Sequence, residues 1–103
     1  MSIHMDVLHQ LEGYRFVWNE DKAHQNDEKH GLTFERACEV FLDPLMQLWD
    51  ASPNEETRVA AVGATLDREV IYVVHVEIQD LLVRIISARY ATKPEIKHYE
   101  TYE

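Results

Sequence analysis

Three strand-like segments in the second half of the chain, joined by very short connections, most constrain its fold. These segments are residues 58–66, 70–77 and 81–88. They are rich in β-branched and alternating apolar residues, a composition typical of β-strands. The connections at residues 67–68 and 78–80 are short enough for hairpins, which join antiparallel neighbours. The sequence therefore predicts that these three strands pair in an antiparallel meander.

Capping residues and apolar periodicity predict three helices. Asn19 and Gly31 bracket a polar helix, because asparagine caps helix starts and glycine follows helix ends. Thr33 caps a second helix, which ends at Asp43-Pro44. Its apolar stripe recurs at helical spacing and comprises Phe34, Ala37, Cys38 and Phe41. A capping box between Thr92 and Glu95 predicts a final helix.

The order of these elements predicts the fold class. Residues 14–18 and 45–49 predict two further strands, so the order is strand, two helices, four strands and a helix. This order favours an α+β fold with one antiparallel β-sheet, two N-terminal helices and one C-terminal helix packed on it. We expect a single domain over residues 14–103, preceded by an N-terminal arm at residues 1–13 with no assigned role. The residues expected to be buried are Phe34, Ala37, Phe41, Val59, Val74, Ile85 and Tyr99.

Composition narrows the possible functions. The chain has 103 residues and a formal net charge of -9, which argues against diffuse attraction to nucleic acid or anionic membranes and requires any anion site to be local. A single cysteine, Cys38, excludes an internal disulfide and favours a reducing cytoplasm. The six histidines lack metal-ligand spacing, and no apolar run reaches the ~18 residues that span a bilayer. We expect a cytoplasmic protein without a metal, a cofactor or a membrane contact.

Charged residues interrupt the predicted strands. Arg58 begins one strand, Glu77 ends the next, and Arg84 and Arg89 lie in or just after the last. Guanidinium groups in a sheet need carboxylate partners or an anionic ligand. A cluster of arginines with one carboxylate could stabilise a phosphorane-like transition state and move a proton, as a metal-free ribonuclease requires. The same residues could instead form a cross-strand network of salt bridges, and the residues alone leave both interpretations open.

The first predicted helix carries a polar stripe. Lys22, Asn26, Lys29 and His30 fall on one side of this helix. This stripe could bind phosphate or a partner protein. Alternatively the helix is simply solvated, with Lys29 and His30 complementing the negative end of its dipole.

An ordered set of short motifs runs from about residue 16 to residue 100. The motifs are Phe16-Val17-Trp18-Asn19, Lys22, Asn26, Lys29-His30-Gly31, Thr33-Phe34-Glu35, Phe41, Asp43-Pro44, Glu56, Arg58, Arg84-Ile85-Ile86-Ser87-Ala88-Arg89, Ala91-Thr92, Glu95 and Tyr99. Together they resemble the BrnT family of bacterial type II toxins, which is similar in fold to RelE-type ribonucleases. The resemblance implies a BrnA antitoxin that neutralises the toxin and represses the shared operon through its own DNA-binding domain.

The resemblance also implies roles for individual residues. Arg58, Arg84 and Arg89 occupy the family's arginine positions and would hold the scissile phosphate. Glu77 occupies its usual acidic position, and Glu77 or His75 would help to move the proton of the RNA 2′-hydroxyl.

Two functional hypotheses follow. The first is a metal-independent endoribonuclease toxin that inhibits translation and growth and is neutralised by a BrnA-like antitoxin. Its substrate would be RNA, and it would affect DNA only indirectly, through the antitoxin. The second is a non-catalytic member of the same fold that only binds its antitoxin and affects operon regulation.

Overall fold

One six-stranded sheet organises the molecule. The computed structural model describes residues 5–52 and 57–101. The strands are β1 Asp6–Leu11, β2 Tyr14–Asn19, β3 Gln47–Asp50, β4 Val59–Ala64, β5 Val70–Gln79 and β6 Leu82–Tyr90. The helices are α1 Glu20–His30, α2 Phe34–Cys38 and α3 Lys93–Thr101, and a 3₁₀ turn spans Glu39–Leu42. The strand order across the sheet is β1-β2-β6-β5-β4-β3, so the α+β class predicted from the sequence is confirmed.

The sheet is mixed rather than purely antiparallel. The predicted meander is present, because β4, β5 and β6 pair as antiparallel neighbours. However, β2 pairs with β6 in the parallel sense over three residues of each strand. The prediction of one antiparallel sheet was therefore wrong at this pair. Strands far apart in sequence have no turn between them that could reveal their pairing or direction.

The N-terminal residues form an edge strand. The sequence pattern left residues 1–13 as an arm, whereas Asp6–Leu11 pairs with the whole of β2. The two strands are joined by a two-residue turn at Glu12 and Gly13, both with positive φ (48° and 88°). Such turns match the right-handed twist of the paired strands. As a result β1 adds a sixth strand at one edge of the sheet, next to β2.

The predicted caps set the ends of the first two helices. The Asn19 side chain accepts a hydrogen bond from the Lys22 amide at 3.0 Å, and Gly31 ends α1 in the left-handed conformation at φ 65°. Thr33 accepts from the Arg36 amide at 3.2 Å. The second predicted helix is shorter than its apolar stripe indicates, because the chain tightens into the 3₁₀ turn at Glu39.

The main core lies between the sheet and the first two helices. We call this side of the sheet the core face. The buried side chains predicted here are Phe34, Ala37, Phe41 and Ile85. The other three predicted core residues, Val59, Val74 and Tyr99, are only half-buried. Val74 alternates with the buried Val73 along β5, so it projects from the opposite face of the sheet, where side chains are less buried.

The last helix packs on that opposite face, which we call the α3 face. Gln47 donates from its Nε2 to the Tyr99 carbonyl at 3.1 Å, and the Tyr99 hydroxyl bonds the Asp43 carboxylate. The capping box is present, since the Thr92 amide donates to Glu95 Oε1 at 2.8 Å. Helices therefore lie on both faces of the sheet. Within the part of the chain that the structure describes, no helix is long and apolar enough to span a membrane.

Candidate functional site

The strand register brings Arg58 and Arg84 to one face of the sheet. Arg84 lies opposite Val76 of β5 and beside Val17 of β2. Val59 pairs with His75, so Arg58, one residue earlier, falls in the row of Val76 on the same face. Pairing continues to this residue, because the Ala51 amide donates to the Arg58 carbonyl at 3.1 Å. The two arginine backbones are thus separated by two strand spacings, about 10 Å.

Arg84 lies near the centre of the α3 face, and its side chain is accessible to solvent. Its side chain is 36% exposed and its Nη2 is 3.1 Å from Asp6 Oδ2. Asp6 lies on β1, so this salt bridge crosses over β2. Asp6 was not predicted as a site residue, because the pattern of the first residues does not indicate a strand. In this structure Arg84 is therefore a half-exposed cation with one carboxylate partner that is itself exposed.

Arg89 is engaged more firmly, at the other end of β6. Its Nη1 and Nη2 donate to the two carboxylate oxygens of Glu95 at 2.7 and 3.0 Å. Its guanidinium carbon also lies 4.0 Å from the centre of the Tyr72 ring, a cation–π arrangement. The bond to Arg89 lowers the pKa of Glu95 to about 2 from its ordinary 4.5, against the effect of burial. This pair fixes the start of α3 against the sheet.

The pKa of Glu95 makes this attachment of α3 dependent on pH. A carboxyl group whose pKa falls on folding stabilises the native state above its unfolded pKa and loses that effect as pH falls towards the folded pKa. We therefore expect the melting temperature of the wild type to exceed that of Glu95→Gln above about pH 4.5, and the difference to close as pH falls towards 2. Thermal unfolding followed by circular dichroism measures this. Glu100→Gln, an exposed change on the same helix, is the matched control, and an equal pH dependence in both variants would contradict the expectation.

His75 and Glu77 lie on the core face, away from the arginines. His75 is 5% exposed, and its ring stands edge-on to Phe41 with the ring centres 5.0 Å apart. Burial lowers the pKa of His75, which favours the neutral imidazole. Glu77 is exposed near the end of β5, opposite Val83. The structure therefore does not bring His75 and Glu77 into one cluster with Arg84.

The polar stripe of α1 also lies on the core side of the sheet. Lys22 and Lys29 are exposed, and His30 is half-buried. Asn26 is 7% exposed and points inward. Its Nδ2 donates to the Leu32 carbonyl and its Oδ1 accepts from the Ala88 amide, both at 3.1 Å. The four predicted residues thus divide into an exposed basic pair, a half-buried histidine and an inward-facing amide.

Among residues 5–52 and 57–101, no group of three or more histidine, cysteine, aspartate or glutamate side chains is arranged to hold a metal ion. Cys38 is buried in the core, and burial raises its thiol pKa.

Comparison with known proteins defines the class of this chain. A family model described as the ribonuclease toxin BrnT of type II toxin-antitoxin systems matches residues 18–95. This span contains all nine residues singled out in the sequence as site candidates, and Asp6 lies outside it. The protein is therefore of the class of type II toxin components, a class that implies an antitoxin partner. Within that class, the chain belongs to the BrnT family of ribonuclease toxins, as its motifs predicted.

A solved structure supports the same assignment. The chain is similar to the protein in the 1.1 Å crystal structure of the Brucella abortus ribonuclease toxin BrnT, with a TM-score of 0.59 and 28% sequence identity. The match covers 74% of this chain and 94% of that one. No curated protein sequence matches the chain.

Proposed function

We propose that this chain is a metal-independent endoribonuclease that inhibits translation and growth, and that Arg84 and Arg58 hold the scissile phosphate of RNA. The observation that supports the proposal most is the half-exposed guanidinium of Arg84 near the centre of the α3 face, with Arg58 in the same row. Two guanidinium groups about 10 Å apart at the backbone can converge on one phosphate, because each side chain is long and flexible.

The reaction needs charge stabilisation and proton transfer. The RNA 2′-hydroxyl would attack the adjacent phosphorus, the bond to the 5′-oxygen would break, and a 2′,3′-cyclic phosphate and a 5′-hydroxyl end would form. The arginines would stabilise the negative charge on the phosphate oxygens. Glu77 and His75 project from the core face, away from the arginines, so neither reaches a 2′-hydroxyl beside a phosphate held on the α3 face. The 2′-hydroxyl proton would therefore pass to solvent water, and the 5′-oxygen would take a proton from water as it leaves.

The overall charge requires this site to work at short range. With a formal net charge of -9, the molecule as a whole repels RNA, and salt screens this repulsion beyond a Debye length of about 8 Å. A phosphate that reaches Arg84 would displace the Asp6 carboxylate, which makes a single 3.1 Å contact to it. Arg89 is proposed to contribute indirectly, by holding α3 beside the site through Glu95.

We also propose a BrnA-like antitoxin as the protein partner, acting in the cytoplasm. The exposed Lys22 and Lys29 on the core side and the basic positions of the α3 face suit an antitoxin that carries acidic and apolar residues and extends around the sheet to both faces. The antitoxin would provide the link to DNA.

The second candidate is a non-catalytic toxin homologue that only binds its antitoxin. One observation favours it, since Arg84 and Arg89 both pair with carboxylates in this structure. A structural network of salt bridges would have this form.

An RNA cleavage assay with purified, antitoxin-free protein separates the two candidates. We expect cleavage in the presence of EDTA, with products that carry 2′,3′-cyclic phosphate and 5′-hydroxyl ends, and suppression of cleavage by a stoichiometric amount of the antitoxin. Calorimetry should give a dissociation constant in the nanomolar range, about -12 kcal/mol. Tight antitoxin binding without any cleavage would support the second candidate, and cleavage that EDTA abolishes would contradict the metal-independent mechanism.

A further inference from the structure

A shallow pocket lies on the α3 face between β3 and the start of α3. It has a volume of about 350 Å³ and is lined by Trp49, Pro94, Glu95 and His98. This volume is at the small end of the range for ligand sites in proteins, so the pocket suits one flat group rather than a helix or a folded domain. The sequence pattern indicated no function for Trp49, Pro94 or His98.

The indole of Trp49 is held in place before any ligand arrives. Its Nε1 donates to Gln47 Oε1 at 3.0 Å, and Gln47 is tied to α3 through the Tyr99 carbonyl. The ring also packs edge-to-face with Tyr72 and His98, with ring centres 6.1 and 5.2 Å apart. An aromatic side chain that is already ordered loses little conformational entropy on binding.

The pocket is within reach of the proposed phosphate site. Trp49 pairs with Ala60, and Ala51, two residues further along, lies opposite Arg58. Trp49 and Arg58 therefore project from the same face, with backbones about 8 Å apart, one strand spacing across and two residues along. A base, its ribose and its phosphate cover a span of this order.

We propose that the Trp49 pocket binds a nucleobase of single-stranded RNA by stacking, next to the phosphate held by Arg58 and Arg84. Proteins that bind single strands combine cationic groups for the backbone with aromatic rings for the bases. This surface has both elements on one face, and a chain with a formal net charge of -9 gains little from diffuse electrostatic attraction to RNA. The inference rests on the proposed function, because it assumes that the substrate is RNA.

Tryptophan fluorescence tests the proposal directly. The chain has two tryptophans, and Trp18 is 2% exposed in the core, so quenching by a stacked base reports on Trp49. The probe is a short 2′-O-methyl oligonucleotide, which cannot be cleaved through its 2′-oxygen. The comparison probe is an oligonucleotide of equal length and phosphate content that has abasic positions. We expect the first to quench the fluorescence and the second to bind more weakly without quenching.

Variants then separate stacking from charge. By anisotropy with labelled oligonucleotides, Trp49→Ala should weaken binding of the base-containing strand by about tenfold and leave the abasic strand unchanged. Trp49→Phe, which keeps a flat ring, should retain most of the affinity and guards against a folding defect in the alanine variant. Leu48→Ala is the matched control, because Leu48 is 62% exposed on the same strand and projects from the other face.

The outcomes distinguish this inference from the proposed function. Binding that depends on Arg84 but not on Trp49, or equal quenching by the abasic strand, would overturn the nucleobase pocket alone. Absence of binding by either oligonucleotide would overturn both.

Discussion

Replacing Arg84 with alanine is expected to lower RNA cleavage by about a hundredfold, the scale of losing one preorganised charge or donor at a reacting oxyanion. Arg84 lies near the centre of the α3 face, and among the described residues its side chain is bonded to Asp6, at 3.1 Å. Both side chains of this pair are at least 36% exposed, and exposed ion pairs contribute about 0–1 kcal/mol to folding. The variant should therefore fold and still fail to cleave.

The chemistry of the side chain gives a second test at the same position. Arg84→Lys should restore the charge and recover little of the activity, because one ammonium cannot make the paired contacts of a guanidinium to phosphate. Lys97→Ala, an exposed change on α3, is the control for losing a positive charge from the surface. Cells that express the wild type without antitoxin should stop growing, and cells with Arg84→Ala at equal protein level should grow.

Two results would assign Arg84 a different role. A variant that unfolds would show that the Asp6 pair is a structural element. A variant that folds with an unchanged melting temperature and cleaves like the wild type would mean that the ribonuclease site lies elsewhere or that the chain has none.

Local signals in the sequence predicted local structure well. Asn19, Gly31, Thr33 and the Thr92–Glu95 box each act within a few residues, and each makes the predicted bond or conformation in the structure. The meander was predictable for the same reason, because its turns are short. The family was also predictable, since its motifs are ordered along the chain and the family model matches residues 18–95.

Pairings between distant segments could not be predicted in this way. The parallel contact of β2 with β6 and the contact of Asp6 with Arg84 join residues more than 60 positions apart. The face of the sheet from which each side chain projects could not be predicted either. Arg84 and Glu77 are seven residues apart and close in the sheet, but the alternation of the strands sends them to opposite faces. A bulge between Val74 and His75 shifts the strand register further, and no residue type at this point in the sequence predicts a bulge.

Asn26 illustrates how one sequence pattern can fit two roles. As part of the helix stripe with Lys22 it was a candidate for partner or RNA binding. In the structure its side chain joins α1 to the backbone at two buried points, the Leu32 carbonyl and the Ala88 amide. The parallel pairing of β2 ends at Arg84, so Ala88 lies beyond it, and Asn26 provides the hydrogen-bond acceptor that a neighbouring strand would otherwise provide.

Asn26→Ala is therefore expected to destabilise the protein by about 3 kcal/mol, because it leaves a buried N–H and a buried C=O without their hydrogen bonds. For a domain of this length the melting temperature should fall by about 15 °C, which differential scanning calorimetry measures. Asn26→Asp should also destabilise, since it keeps the acceptor for the Ala88 amide but turns a carboxylate oxygen towards the Leu32 carbonyl. Lys22→Ala, exposed on the same helix, should change stability by no more than about 0.5 kcal/mol. If Asn26→Ala instead kept its melting temperature and lost affinity for the antitoxin, Asn26 would be a partner contact, and α1 would have to move away from β6 when the antitoxin binds.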